Sequence, residues 1–513
     1  LAPFPFAPFR FSLPPPQTMT DRYRPLAVAT IVVALALVGC DALDPSQVDN
    51  PRTTDEDLAQ AERPTTALLD GLRAQFARAL GATILTTELA ADNYSVNGTG
   101  LGGNTLDFPN NLTPNVAVLN TTNQDGLYWN TQELRAQGDF LLEEIAPGDD
   151  NATAAQLAEA RYYRGMAFLL QGENFGAVPT AADTAAVPAA TLLDNARADF
   201  EAALASTASD ADLAVRLNAA LARTHRALGN VAEARSYAQA ALDAGGDAFL
   251  IEQPYDADNL DNAPHDYLVQ RSLQEMQPLP RLDFLDPKYV NENSPIPVAS
   301  AEEMRLILAE AALADDDPSG ARTELKTAIG VAEDRGRVTF EDGDERLNNA
   351  LNIRPDTSAL QVRFEPGTPL VDDLVLNRPG TVTTPTVSGT HVTAAQVDAA
   401  SGTDLLRLLY LLRQEILLLE GHRLHDLGIR LPMMLREIDT NPAISAGDPG
   451  TEASVPAWIP PQNELDLYEP SIIYENGDSG PLTTTEVTML HDMNRVLAEE
   501  RGLVIENPMV PGQ

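Results

Sequence analysis

Apolar side chains recur along this chain at spacings of three and four, the period that places them on one face of a helix. Residues 56–89 read as a first helix, with Leu68, Leu69, Leu72, Phe76 and Leu80 at that spacing. Residues 127–145 read as a second, stopped by Pro147-Gly148, and residues 156–171 as a third. The densest apolar stretch is 404–430. There Leu405, Leu406, Leu408, Leu409, Leu411, Leu412, Ile416, Leu417, Leu418 and Leu419 cover nearly every face. A helix apolar all round is buried in protein or crosses a membrane. Arg407, Arg413 and Glu415 interrupt this run before it reaches the ~18–20 residues a span requires. It reads as the central buried helix of a large helical core. Glu420 and Arg423, three apart on that helix, are expected to form a structural ion pair, because an unpaired buried charge is costly.

A degenerate repeat follows the third helix. Ala196, Phe200 and Ala203 have spacings of four and three, as do Ala234, Ala238 and Ala241, and again Ala321, Leu325 and Ala328. Small residues at these positions let a partner helix approach closely. Leu221-Ala222 and the turn Gly229-Asn230 precede the second set; Leu308-Ala309 and the turn Asp315-Asp316-Asp317-Pro318 precede the third. The first two sets lie 38 residues apart, near the period of about 34 of a tetratricopeptide hairpin. The third lies 87 further on, so the array is not uninterrupted. The expected fold is all-α: tetratricopeptide-like helical hairpins forming a superhelical scaffold over about 150–245 and 299–330, joined by helix 404–430. Loop-rich, irregular portions are expected at about 90–126, 247–298, 331–403 and 439–482. Weak strand signals occur at 362–364 and 371–376, and a last helix is expected over 485–501.

Charge narrows the function. The chain has 513 residues and a formal net charge of −41, which repels nucleic acid. Lys288 and Lys326 are its only lysines. An acidic, lysine-poor surface of this kind suits high salt, where self-repulsion is screened. The start of the chain adds an address. Residues 1–18 read as upstream or loose leader. From Met19, Arg22 and Arg24 form a basic region, and 26–38 is an apolar run too short to span a bilayer. It ends in Leu37-Val38-Gly39-Cys40, which matches the bacterial lipobox, and Cys40 is the only cysteine. Residues 19–39 are therefore expected to be a lipoprotein signal peptide, with acylation at Cys40 anchoring a single domain, 40–513, to a membrane. A lone cysteine leaves no internal disulfide, so the fold must rest on its core.

Four motifs in order now resemble one family. AEARYYRGMAFLLQGENFGAVP, starting at Ala158, is similar to an A-E-A-R-x-x-R helix closing on F-G-x-V-P. Degenerate tetratricopeptide hairpins follow. The segment Ala299-Ser300-Ala301-Glu302-Glu303-Met304, running into Leu308-Ala309-Glu310-Ala311, resembles A-S-A-E-E-x-x-L-I-x-A-E-A. Glu420-Gly421-His422-Arg423 with Asp426-Leu427 resembles E-G-x-R-x-x-D-L. Behind a lipobox, these resemble the SusD/RagB family of outer-membrane nutrient-binding lipoproteins. The chain departs from the family at Ile416, where an acid is usual one turn before the E-G, and at Leu424, where an aromatic is common. The resemblance implies a non-enzymatic, surface-exposed lid that captures oligosaccharides or oligopeptides. It would deliver them to a partner SusC-type TonB-dependent transporter barrel in the outer membrane. The alternative is a tetratricopeptide-type scaffold lipoprotein of the cell envelope.

Catalytic chemistry has little purchase here. His422 and His425 are three apart on a helix but lack a third ligand at helical spacing beyond Asp426, so no metal is expected. Asp342-Gly343-Asp344-Glu345 lacks the calcium-loop spacing and reads as a solvated turn. The glycine-rich stretch 98–103 misses a phosphate-cradling pattern. No cofactor is implied, and no motif fixes a general acid and base. Ligand candidates are softer. Sugars are held by aromatic platforms and by Asn, Asp and Arg side chains. On that basis Asp92, Asn93, Tyr94, Asn97, Asn104, Phe108, Trp129 and Trp458 are the candidate binding residues. Aromatics make up only 5% of the chain, which keeps peptides open as cargo.

Overall fold

The computed structural model describes residues 62–96, 106–116, 118–123, 126–206, 210–269, 276–341, 360–376, 381–460, 465–470 and 485–507. Cys40, the signal peptide 19–39, Asn97, Asn104, the glycine-rich stretch and the Asp342 turn lie outside the described residues.

Helix α1 (Pro64–Ala90) starts with proline at its first position, where a missing N–H costs nothing. From Ala79 to Ala90 every residue is buried, so α1 runs through the interior rather than over it. Helices α2 (Leu127–Asp139) and α3 (Ala154–Asn174) pack against it. Thr153 and Gln156 close a reciprocal capping box at the start of α3. The second helix expected over 127–145 is thus α-helical only to Asp139 and finishes in a wider turn, Phe140–Ile145.

The helical repeat is present. Helix α3 pairs with α4 (Ala189–Leu204), α5 (Ala211–Ala227) with α6 (Val231–Gly245), and α7 (Ala301–Ala314) with α8 (Pro318–Asp334). The three repeated sets fall on the second helix of each pair, and all nine side chains are fully buried. The array is interrupted in sequence but continuous in space, because α6 packs directly on α7. Strands β1 (Leu250–Gln253) and β2 (Ile296–Ser300) explain this: they pair antiparallel, Leu250 opposite Ser300. They bring the two ends of the 247–298 insertion together, so it leaves the array and returns at one point.

The 404–430 stretch is not one helix. Helix α9 (Ala394–Ala399) precedes it, and α10 covers only Thr403–Ile416. The chain then turns, with Leu419 at φ 58° and Gly421 at φ 76°, before the short α11 (Arg423–Leu427). Positive φ is cheap for glycine and costly for leucine. The turn is held from outside. Leu418 O accepts from Lys288 Nζ at 2.9 Å and Leu419 O from the Tyr289 hydroxyl at 2.7 Å. Glu88 on α1 is buried beside it: burial raises its carboxyl to about 7, while Asn93 and then the Gly421 and Leu419 amides pull it down. The apolar run is buried as expected, but as a helix, a turn and a second short helix.

Short strands decorate the loop-rich portions. The signals at 362–364 and 371–376 appear as Gln361–Arg363 and Leu370–Val371, which pair antiparallel. The helix expected over 485–501 is corrected: Glu486–Met489 is a strand parallel to Gln361–Arg363, and helix begins only at Met493. Val487 and Met489 are buried while Glu486 is exposed, so the period-two pattern governs there.

Candidate functional site

The resemblance motifs converge on a buried ionic network rather than on a ligand. Asp92, fully buried after α1, accepts from Arg423 at 2.7 and 3.0 Å and from Arg281 at 2.7 Å. Burial pushes its carboxyl up, but the two guanidiniums outweigh that and hold it below its ordinary range. Asp426 accepts from Arg413 at 2.7 Å and Arg226 at 2.9 Å, and Arg226 continues to Glu310 at 2.5 Å. Glu173 takes Arg223 through two bonds of 2.8 and 2.6 Å. Glu420 takes Lys288 at 2.5 Å. The expected Glu420–Arg423 pair is therefore corrected, since the turn before α11 sends the two side chains to different partners.

Three candidate binding residues are buried in the same region. Asp92 is occupied as above. Asn93 donates to Glu88 at 2.6 Å and accepts from Gln414 at 2.9 Å, and the hydroxyl of buried Tyr94 reaches Asp286 at 2.9 Å. None has surface to offer. Trp458 acts as a plug: its Nε1 donates to Leu427 O at 2.9 Å and Arg501 lies 5.9 Å from its ring centroid. Phe108 is half-buried beside a turn tied to Pro460 through Asn110 at 3.1 Å.

Trp129 stands apart. It is the exposed large hydrophobic among the described residues, with 38% of its surface accessible. It sits in the first turn of α2, whose neighbour Tyr128 turns inward with its ring edge-on to Phe175, 5.5 Å between centroids. Trp129 lines a cavity of about 300 Å³ with Tyr128, Gln132, Glu133, Arg135, Pro179, Met434, Arg436, Glu437 and Thr440. Three elements form it: α2, the hairpin of strands Ala177–Pro179 and Ala186–Pro188, and helix α12 (Leu435–Thr440). Asn120 Oδ1 accepts the Leu435 N–H at 2.8 Å, and Asn441 donates to Thr184 O at 3.0 Å, so both ends of α12 are fixed to that framework. Gln132 is held between Pro179 O at 2.9 Å and Arg135 at 2.9 Å. Burial, then the Glu437 carboxylate, push the Tyr128 hydroxyl up, so it stays protonated and can donate. The arrangement sets a flat exposed indole among both hydrogen-bonding side chains and smaller apolar ones.

Gln132 and Glu133 follow Trp129 at helical spacing and were readable from the sequence; Arg436, Glu437 and Thr440 come from a distant segment and carried no signal. A larger groove of about 770 Å³ runs between α6 and the α7–α8 hairpin. It contains no aromatic, and its charges are spent internally: Arg235 on Asp315, Glu324 on Arg305, and Asp317 on the N-terminus of α8. Among the described residues, no group of three or more His, Cys, Asp or Glu side chains is placed to hold a metal. No helix there is long and apolar enough to cross a membrane.

No family model and no curated protein matches this chain. Solved structures do. B. fragilis NanU aligns with a TM-score of 0.49 at 12% identity, over 77% of this chain and 94% of its own. A SusD/RagB family protein of Bacteroides thetaiotaomicron gives 0.48 at 11% identity, over 74% and 94%. A SusD-like carbohydrate binding protein of Bacteroides vulgatus gives 0.43 at 15%, over 71% and 82%. The solved proteins that this helical chain is similar to thus include members of the SusD superfamily.

Proposed function

We propose that this chain is a SusD/RagB-type capture lipoprotein. It binds an oligosaccharide at the Trp129 cavity and passes it to a TonB-dependent transporter barrel of the outer membrane. The observation that carries the reading is the exposed indole in a cavity that also presents the hydrogen-bonding side chains of Gln132, Glu133, Arg436, Glu437 and Thr440. An indole face stacks on the apolar face of a pyranose, while Glu133, Thr440 and the Tyr128 hydroxyl address its ring hydroxyls. The lipobox at Cys40 supplies the anchor, and the four ordered motifs supply the family. Holding and releasing a ligand needs no covalent step, so the protein works as a binder and not as an enzyme.

The test is titration calorimetry of the full chain against a panel of oligosaccharides and oligopeptides, with wild type and Trp129→Ala. Saccharide binding that weakens roughly 10- to 30-fold in the variant is expected, as for a buried aromatic anchor. Binding of peptides alone, or saccharide binding indifferent to Trp129, overturns the reading.

A further inference from the structure

The charges around Trp129 are unequal in availability. Arg135 is committed to Asp139 and Gln132. Glu133 accepts from Gln137 at 3.0 Å, and Glu437 accepts from Asn441 at 2.8 Å. Arg436 is different. It is exposed and lines the same cavity; its backbone carbonyl accepts from the Thr440 hydroxyl at 2.7 Å, but its guanidinium has no hydrogen-bond or ion-pair partner among the described residues. The chain carries 75 acidic side chains against 34 basic ones, so a carboxylate partner for an exposed arginine is easily found. Here none is in place. A guanidinium is a planar fork that matches a carboxylate through two parallel hydrogen bonds, an arrangement stronger than neutral pairing. Beside a stacking surface, that fork addresses a substituent on the stacked ring.

We propose that Arg436 makes the Trp129 cavity selective for acidic saccharides, with the ring of a uronic acid on the indole and its carboxylate on the guanidinium. This rests on the capture reading above and narrows it. General attraction cannot supply the preference, because a net charge of −41 repels anions at long range. That repulsion fades beyond about 8 Å at physiological salt and weakens further as salt rises. The local contact then decides. A volume of about 300 Å³ lies at the small end for ligand pockets, which suits a terminal sugar or two rather than a long chain.

The experiment compares tetragalacturonate with its fully methyl-esterified form, which keeps the rings and removes the charge. Binding is measured to the full chain as wild type, Arg436→Gln, Arg436→Lys and Trp129→Ala. Wild type is expected to prefer the charged form about tenfold. Arg436→Gln should reduce the charged form to the affinity of the ester and leave the ester unchanged, while Arg436→Lys restores part of the preference. Trp129→Ala should weaken both. Equal wild-type binding of the two probes, or a preference that survives Arg436→Gln, overturns the selectivity while leaving the capture reading intact. Binding of a neutral glucan but neither probe does the same. Binding of no saccharide at all removes both.

Discussion

Asp92 shows how one residue holds a motif together. It is a single carboxylate between two buried guanidiniums, Arg281 and Arg423, each at 2.7 Å. Replacing it by asparagine leaves two positive charges buried without a counterion. The expected cost is about 3–5 kcal/mol, the range for breaking a buried pair from one side. By contrast, Arg73→Ala, which removes a pair with Asp70 and Glu159 on a half-exposed site, should cost under about 1 kcal/mol. Denaturant unfolding of both variants checks the contrast, and similar small losses would refute the buried role. Sequence spacing showed that Glu420 and Arg423 needed partners. It did not show which, because the helix it assumed breaks at Leu419 and Gly421. Asp92 lies 331 positions from Arg423, and nothing in local periodicity links them. The same limit explains why the expected binding loop is found buried. Asp92, Asn93 and Tyr94 have the side-chain types that bind sugars, and those types serve equally well inside a core network. Trp129 was legible as a candidate, yet only burial distinguishes an exposed indole from the plug that Trp458 forms.

At the scale of elements, the three repeated helical sets were readable because they depend on local period alone, and all nine side chains are interior. What periodicity could not show was that β1 and β2 close the insertion and let α6 meet α7. Helices α3 and α4 approach closely at Gly165. A β-carbon on Gly165 would sit 2.5 Å from the ring of Phe200, which has no exposed surface and no free direction to move. Gly165→Ala should therefore destabilise the fold by about 1–3 kcal/mol, despite the better helix propensity of alanine. The double variant with Phe200→Leu should recover part of the loss, since removing the ring clears the clash while leaving an apolar side chain. A thermal melt of the two variants reads this directly. If Gly165→Ala alone is neutral or stabilising, α3 and α4 are not packed through that glycine. The misread final helix follows from the same reasoning: buried Val487 and Met489 alternate with exposed Glu486 and half-buried Thr488, and a short strand and a helix compete closely over four residues.

For the whole molecule, the buried acids set how stability follows pH. Burial pushes Glu88, Glu303 and Glu420 up to about 7, against nearby cations that pull them down. A carboxyl that holds its proton more tightly folded than unfolded favours the folded state at low pH, and the benefit disappears as pH rises through about 7. His422 and His425 act oppositely. Burial, then neighbouring arginines, depress both, so they stay neutral in the fold while the unfolded chain protonates them below ~6.5. Between about pH 4.5 and 6.5 the two sets offset one another, and a broad plateau is expected. Below about 4 the offset ends, because Asp92 and Asp426 are held ionised by their arginines and lose that stabilisation on protonation. Stability should then fall steeply. Glu303→Gln separates the contributions, since it removes one raised carboxyl without adding charge. Its unfolding free energy relative to wild type should rise by roughly 2–3 kcal/mol between pH 4.5 and pH 8. The comparison belongs in molar salt, where the repulsion of 41 excess negative charges is screened and cannot mimic the trend. Denaturation curves of the two proteins that stay parallel across that interval would mean the buried Glu303 carboxyl titrates no differently from an exposed one.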